Sequence, residues 1–171
     1  MKVLVTAASR HGTTAEIAQI IAGVMRTSGL TVDVMAPEEV ASVDAYDAVI
    51  LGSAVYAGHW LEPAKNFVVR YQQELADRPL FLFSSGPLGD TPKPAQEPAE
   101  ARAIEASTGA MDQRVFAGRL TQSQLSLPER LIVKAVRAPY GDFRPWDDIA
   151  DWAIEIGRYL RGEAVGTAHA G

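Results

Sequence analysis

Residues 3–14, VLVTAASRHGTT, limit the fold more than any other stretch. Val3, Leu4 and Val5 are a short apolar run of the β type. The chain then turns at Ala8-Ser9-Arg10-His11-Gly12, and helical spacing begins at Thr13 or Thr14. A buried strand that feeds a small polar turn and then a helix makes an anion pocket. The first N–H groups of the helix have no internal partner, and the helix dipole puts partial positive charge there. Ser9, Thr13 and Thr14 add hydroxyl donors and Arg10 a nearby cation, so this turn is expected to hold a phosphate around which the fold is arranged. The alternative at this point is an ordinary βα loop with a good cap. Thr13-Thr14-Ala15-Glu16 reads as a capping box, with a hydroxyl at the cap and Glu three residues on. Ile17, Ile20, Ile21, Val24 and Met25 follow at helical spacing, and Gly29 is the expected stop.

The rest of the chain alternates strands and helices. Strands are expected over 31–35, 47–52 and 79–86, with a polar connection over 37–46. Pro63 suits the first turn of a helix running to about Leu75, with Phe67, Val68 and Tyr71 on one face. Residues 91–98 hold three prolines and read as a surface loop. A short helix is expected over 100–107, a fifth strand over 114–120 with a break or close approach at Gly118, and an amphipathic helix over 127–136. The last helix spans 146–160, with Ile149, Trp152, Ala153, Ile156 and Tyr159 or Leu160 at core spacing. Short βα connections of this kind imply a parallel sheet with helices on both faces. Five strands suit the doubly wound order 2-1-3-4-5, whose switch point lies between the first and third strands, at their carboxyl ends.

Composition narrows the partners. The chain of 171 residues reads as one domain over 1–162 with a flexible tail over 163–171. A net charge of −5 argues against nucleic acid. The absence of cysteine removes disulfides, thiol catalysis and thiol-ligated metals, and no metal site is expected. No apolar run suits a spanning helix and no signal peptide is read, so the expected location is cytoplasmic.

Three loops leave the sheet at the same edge. After 9–14 comes Ser53-Ala54-Val55-Tyr56-Ala57-Gly58, followed by His59 and Trp60; the third is Ser85-Gly86-Pro87-Leu88-Gly89, followed by Asp90. The second offers backbone N–H groups and the aromatic faces of Tyr56 and Trp60 to a flat heterocycle, and the third flanks its other side. A phosphate in the first loop and a planar ring between the other two describe FMN. Competing doubly wound folds lack their reactive groups here. There is no G-x-G-x-x-G, no Gly-Lys-Ser/Thr, no acid pair for a phosphoryl acceptor and no cysteine nucleophile.

Ser9-Arg10-His11-Gly12-Thr13-Thr14 resembles the flavodoxin phosphate loop, S/T-x-x-G-x-T. The segment Gly52-Ser53-Ala54-Val55-Tyr56-Ala57-Gly58-His59 resembles the second loop of the flavodoxin subfamily that includes the menaquinone-dependent protoporphyrinogen IX dehydrogenases. The segments 116–120, 129–134 and 141–146 are similar to that subfamily's carboxyl-terminal third. The resemblance implies a flavodoxin-like three-layer α/β sandwich, FMN and redox chemistry. It implies that Ser9, His11, Gly12, Thr13 and Thr14 bind the phosphate, and that residues 53–58 and the loop after Ser85 border the isoalloxazine. The region 125–139 is more compact than the basic insertion of the dehydrogenases. Arg130, Lys134 and Arg137 form a basic stripe on an apolar helix, read here as core packing with a solvated face. Peripheral contact with the inner face of a membrane is the alternative. Asp90 and Asp142 are candidate negative neighbours of the flavin, and His59 and Arg119 candidate positive ones; no catalytic acid or base is named. The expected function is an FMN oxidoreductase that passes reducing equivalents between an organic substrate and a quinone. The alternatives are an electron carrier for a redox protein partner, or a binding module without FMN.

Overall fold

The computed structural model describes residues 1–86, 99–120, 141–142 and 144–163. Strand β1 (Lys2–Ala8) leads into α1 (Thr13–Thr27), and β2 (Thr31–Met35) follows. A short 3-10 turn (Pro37–Glu39) precedes β3 (Ala48–Tyr56), which doubles back into β4 (His59–Trp60). Helices α2 (Glu62–Arg70) and α3 (Gln72–Ala76) lead to β5 (Leu80–Ser85). Helix α4 (Ala99–Thr108), β6 (Asp112–Phe116), β7 (Arg119–Leu120), β8 (Gly141–Asp142) and α5 (Trp146–Leu160) complete the described elements.

The main sheet runs β2-β1-β3-β5-β6, all parallel, with β4 hydrogen-bonded antiparallel to β3. Counting only the parallel strands, this is the expected order 2-1-3-4-5. The apolar runs of β1, β3 and β5 are continuous because these inner strands are buried on both faces. Val3, Val5, Ile50, Phe81 and Phe83 pack with Ile17, Ile21, Met25 and Trp152 of α1 and α5. Their neighbours Leu4, Val49, Leu51, Leu80 and Leu82 pack with Phe67 and Leu75 of α2 and α3 on the other side. Gly52 lies in β3 against the Phe83 ring, where a Cβ would come within 2.1 Å of Phe83 Cζ.

Four expectations shift. The helix expected from Pro63 to Leu75 is broken at Tyr71, whose hydroxyl donates to Val40 O at 2.9 Å and whose φ is −118°. The strand expected over 47–52 runs on to Tyr56, because the hairpin with β4 extends its pairing. The strand expected over 114–120 is two pieces. Residues 112–116 pair with β5, whereas Arg119 and Leu120 leave the sheet and pair antiparallel with β8. The capping box is not formed. Gly12, not a threonine, is the N-cap of α1, with φ 82° and no side-chain cap. The first helical bond is Glu16 N–H to Gly12 O at 2.9 Å, while the Glu16 carboxylate turns to two arginines. The loop expected over 91–98, the helix expected over 127–136 with its basic stripe, and residues 164–171 of the expected tail lie outside the described residues.

Candidate functional site

Register places the loops side by side. Ala8 of β1 stands opposite Ser53 of β3, and Ala54 of β3 opposite Ser85 of β5. The three chains therefore leave the sheet at one edge on adjacent strands, each about 4.8 Å from the next. The β1–β3 neighbourhood is the switch point, where connections on either side run to opposite edges of the sheet.

The first loop gathers hydrogen-bond donors at the start of α1. Gly12 turns the chain in the left-handed region, where a side chain would be strained. Thr13 and Thr14, buried at the start of α1, lie in the first turn, where backbone N–H groups lack helical partners. Thr14 is 0% exposed. Its Oγ1 and the Oγ of Ser9 are shut off from solvent, and neither hydroxyl has a hydrogen-bond partner among the described residues. Buried hydroxyls without partners are costly, so two of them at a helix N-terminus mark a place shaped for an acceptor. His11 is half-buried between them in sequence.

The second loop is a two-residue hairpin. Val55 pairs with Trp60 and Tyr56 with His59, leaving Ala57 and Gly58 at the tip. Both have positive φ, 50° and 84°, the pattern of a primed turn matched to strand twist. The Arg10 guanidinium lies over the Tyr56 ring, 4.8 Å from its centroid, and so joins the first loop to the second. Ser53 and Ala54 reach the edge through their backbone. The Ser53 hydroxyl is buried and already committed, accepting from Leu61 N at 3.0 Å and donating to Ala54 O at 2.9 Å.

Trp60 does not offer a face to a planar ligand. It is buried in the core, and its Nε1–H donates to Ser84 Oγ at 2.8 Å. Its alternation with exposed His59 on β4 turns it inward. Tyr56, half-buried at the strand end, remains the aromatic of this loop. In the third loop Ser85 and Gly86 are buried, and Gly86 N–H donates to Phe116 O at 2.9 Å. Gly86 takes φ 103° and its α-carbon faces Val55 O, so β5 turns sharply beside the second loop. Pro87, Leu88, Gly89 and Asp90 lie outside the described residues.

Three of the charged residues expected beside the flavin, Asp142, Arg119 and His59, are each paired with a residue outside that set, and Asp90 lies outside the described residues. Arg144 is buried, with its side chain 4% exposed. It donates from Nε to Asp142 Oδ1 at 2.7 Å, from Nη2 to Asp142 Oδ2, and from Nη1 to Glu16 Oε2. Its guanidinium also lies 4.2 Å from the Trp146 ring centroid. Arg119 Nη2 donates to Glu16 Oε1 at 3.1 Å. Hydrogen bonds from Arg144 hold both the Glu16 and the Asp142 carboxyl below their ordinary range. Two carboxylates on one side and two guanidiniums on the other leave the group neutral. His59 is likewise paired, with Glu100 of α4, and that contact holds the Glu100 carboxyl low. The Arg144 cluster escaped the sequence reading. Its one local signal is Asp142 and Arg144 at i and i+2.

A doubly wound α/β sheet whose switch point carries a Gly-turned loop with two buried, unpartnered hydroxyls defines the class: an α/β domain with a ligand-type edge at the carboxyl ends of its strands. The family model described as Flavodoxin domain matches residues 4–144, and the chain belongs to that family. It is thus a flavodoxin-type redox protein, and FMN is its cofactor. The orphaned Ser9 and Thr14 hydroxyls over the α1 terminus fit the phosphate of that group. Protoporphyrinogen IX dehydrogenase [quinone] of Escherichia coli (strain K12) is 24% identical, over 91% of this chain and 94% of that one. Among solved structures, a flavodoxin from the domain Archaea matches with a TM-score of 0.63 at 16% identity, covering 94% of this chain and 99% of the other. Flavodoxin 1 from Bacillus cereus matches with a TM-score of 0.62 at 17% identity, covering 96% and 100%. The rubredoxin oxygen:oxidoreductase of Desulfovibrio gigas shares the fold over 94% of this chain but only 36% of its own (TM-score 0.62, 18% identity).

Proposed function

We propose that this chain is an FMN-dependent oxidoreductase that passes reducing equivalents from an organic donor to a quinone. The observation that carries the cofactor half of this reading is the buried pair of unpartnered hydroxyls, Ser9 Oγ and Thr14 Oγ1, at the N-terminus of α1. Ser9, Gly12, Thr13 and Thr14 would hold the phosphate, with Arg10 and His11 beside it. Tyr56, Ala57 and Gly58 of the hairpin and Ser85–Gly86 would border the ring, with Pro87, Leu88 and Gly89 completing that side. When bound, FMN supplies transfer of two electrons together or one at a time, and the protein supplies binding, orientation and electrostatics. The quinone half is supported by the similarity to the Escherichia coli protein named for a quinone and protoporphyrinogen IX. A porphyrinogen is accordingly the first donor to try. A quinone that takes up two electrons and two protons leaves as the quinol.

The test is anaerobic turnover of FMN-loaded protein with a water-soluble quinone analogue, using protoporphyrinogen IX and simpler reductants as donors. Steady quinol formation that depends on protein and on FMN is expected. No turnover with any donor, together with rapid electron exchange with redox proteins, would replace this reading by that of an electron carrier. Among the described residues no helix is long and apolar enough to cross a membrane.

A further inference from the structure

Glu16 poses an electrostatic problem for the site. It sits in the first turn of α1, two residues after Thr14, on the helix end assigned to a phosphate. A carboxylate there suits the helix dipole but repels a bound dianion. The chain meets this with two arginines from distant segments. Arg119 approaches from β7, and Arg144, 128 residues away, from just beyond β8. Arg144 is also the anchor of the β7–β8 corner, since its fork holds Asp142 at two points. A guanidinium so deeply buried is costly unless fully paired, and here both carboxylates and the Trp146 ring surround it.

We propose that Arg144 is a positioning residue for the phosphate end of the cofactor, acting through Glu16, whose charge it neutralises so that the α1 terminus presents a net positive face to the anion. This rests on the FMN reading above. Arg119 serves the same carboxylate from a more exposed position and has the lesser share. The effect belongs to the phosphate and not to the ring, and that separates it from a merely structural role.

The experiment compares FMN with riboflavin, which lacks the phosphate, in titrations of the apoprotein followed by flavin fluorescence, with the apoprotein melting temperature measured alongside. Glu16 is half-exposed, so solvent reduces its repulsion, and Arg144→Met should weaken FMN roughly tenfold. Riboflavin affinity should stay within about twofold. Glu16→Gln added to Arg144→Met should return most of the FMN affinity, because the unneutralised charge is gone. If both flavins weaken together, or Glu16→Gln restores nothing, the proposal is overturned. Should Arg144→Met fail to fold, Arg119→Met is read instead. It should lower the FMN-to-riboflavin preference about threefold, and an unchanged preference overturns the proposal equally. Wild-type protein that shows no preference for FMN over riboflavin would overturn the phosphate reading itself. An intact wild-type preference that the variants leave unchanged would remove only the role of Arg144.

Discussion

Thr14 is where binding and stability should pull in opposite directions. Its side chain is fully buried, and its hydroxyl has no partner among the described residues. A buried polar group left unmade costs about 1–3 kcal/mol in the protein without ligand. Valine matches threonine in shape and in branching at Cβ, so Thr14→Val removes the orphan with little change in packing or helix propensity. The apoprotein should gain about 1 kcal/mol, which for a domain of this size raises the melting temperature by roughly 2–4 °C. The same substitution removes a hydroxyl donor to a phosphate. Hydrogen bonds to charged groups are worth about 1.5–3 kcal/mol, so FMN should bind roughly ten to a hundred times more weakly. Thermal melts of the apoprotein and fluorescence titration with FMN read the two effects separately. A variant that melts lower and binds FMN as well as the wild type would refute the assignment of Thr14 as a ligand held in reserve.

Other substitutions test the supports of the site. Gly52→Ala drives a methyl into the Phe83 ring, where the nearest approach would be 2.1 Å, and should cost about 1–3 kcal/mol; Phe83→Leu in the same chain should recover part of it, and losses that simply add would contradict the contact. Trp60→Phe removes the donor to Ser84 Oγ and should lower stability by about 1 kcal/mol in a denaturant titration, with FMN affinity nearly unchanged because Trp60 faces the core. Glu16 and Asp142 titrate below their ordinary values, so their pairing stabilises the fold fully above about pH 5 and is lost progressively as pH falls from there through the lowered folded values. The stability lead of wild type over Arg144→Met should therefore shrink in melts taken below about pH 5, and a lead that stays constant into acid would contradict the pairing.

What could be read from the sequence was what depends on near neighbours. The runs at Val3–Val5, Val49–Leu51 and Leu80–Phe83 are apolar on both faces, which only a sheet covered on both sides allows, and the strand order followed from the alternation with helices. The strand-turn-helix junction at 8–14 was legible because strand, Gly12 and the threonines lie within a dozen residues. What escaped depends on partners far along the chain. Glu16 fits a capping box by spacing, yet a full positive charge on Arg144 outbids a single backbone N–H for its carboxylate. Trp60 looked like a stacking surface because nothing local says that Ser84 waits for its N–H. The break at Gly118 was expected from its glycine, but the pairing of Arg119 and Leu120 with β8 was not, because that partner strand lies some twenty residues further on. The hairpin tip was missed because Ala57 is an unusual residue to find at positive φ.

The measurement that tests the account most directly is a visible absorption spectrum of purified protein after FMN is added and the excess removed. Flavin absorption should travel with the protein at about one FMN per chain, and should be lost when Ser9→Ala and Thr14→Ala are combined. Wild-type protein that stays colourless after this treatment would contradict the phosphate cradle and, with it, the redox function.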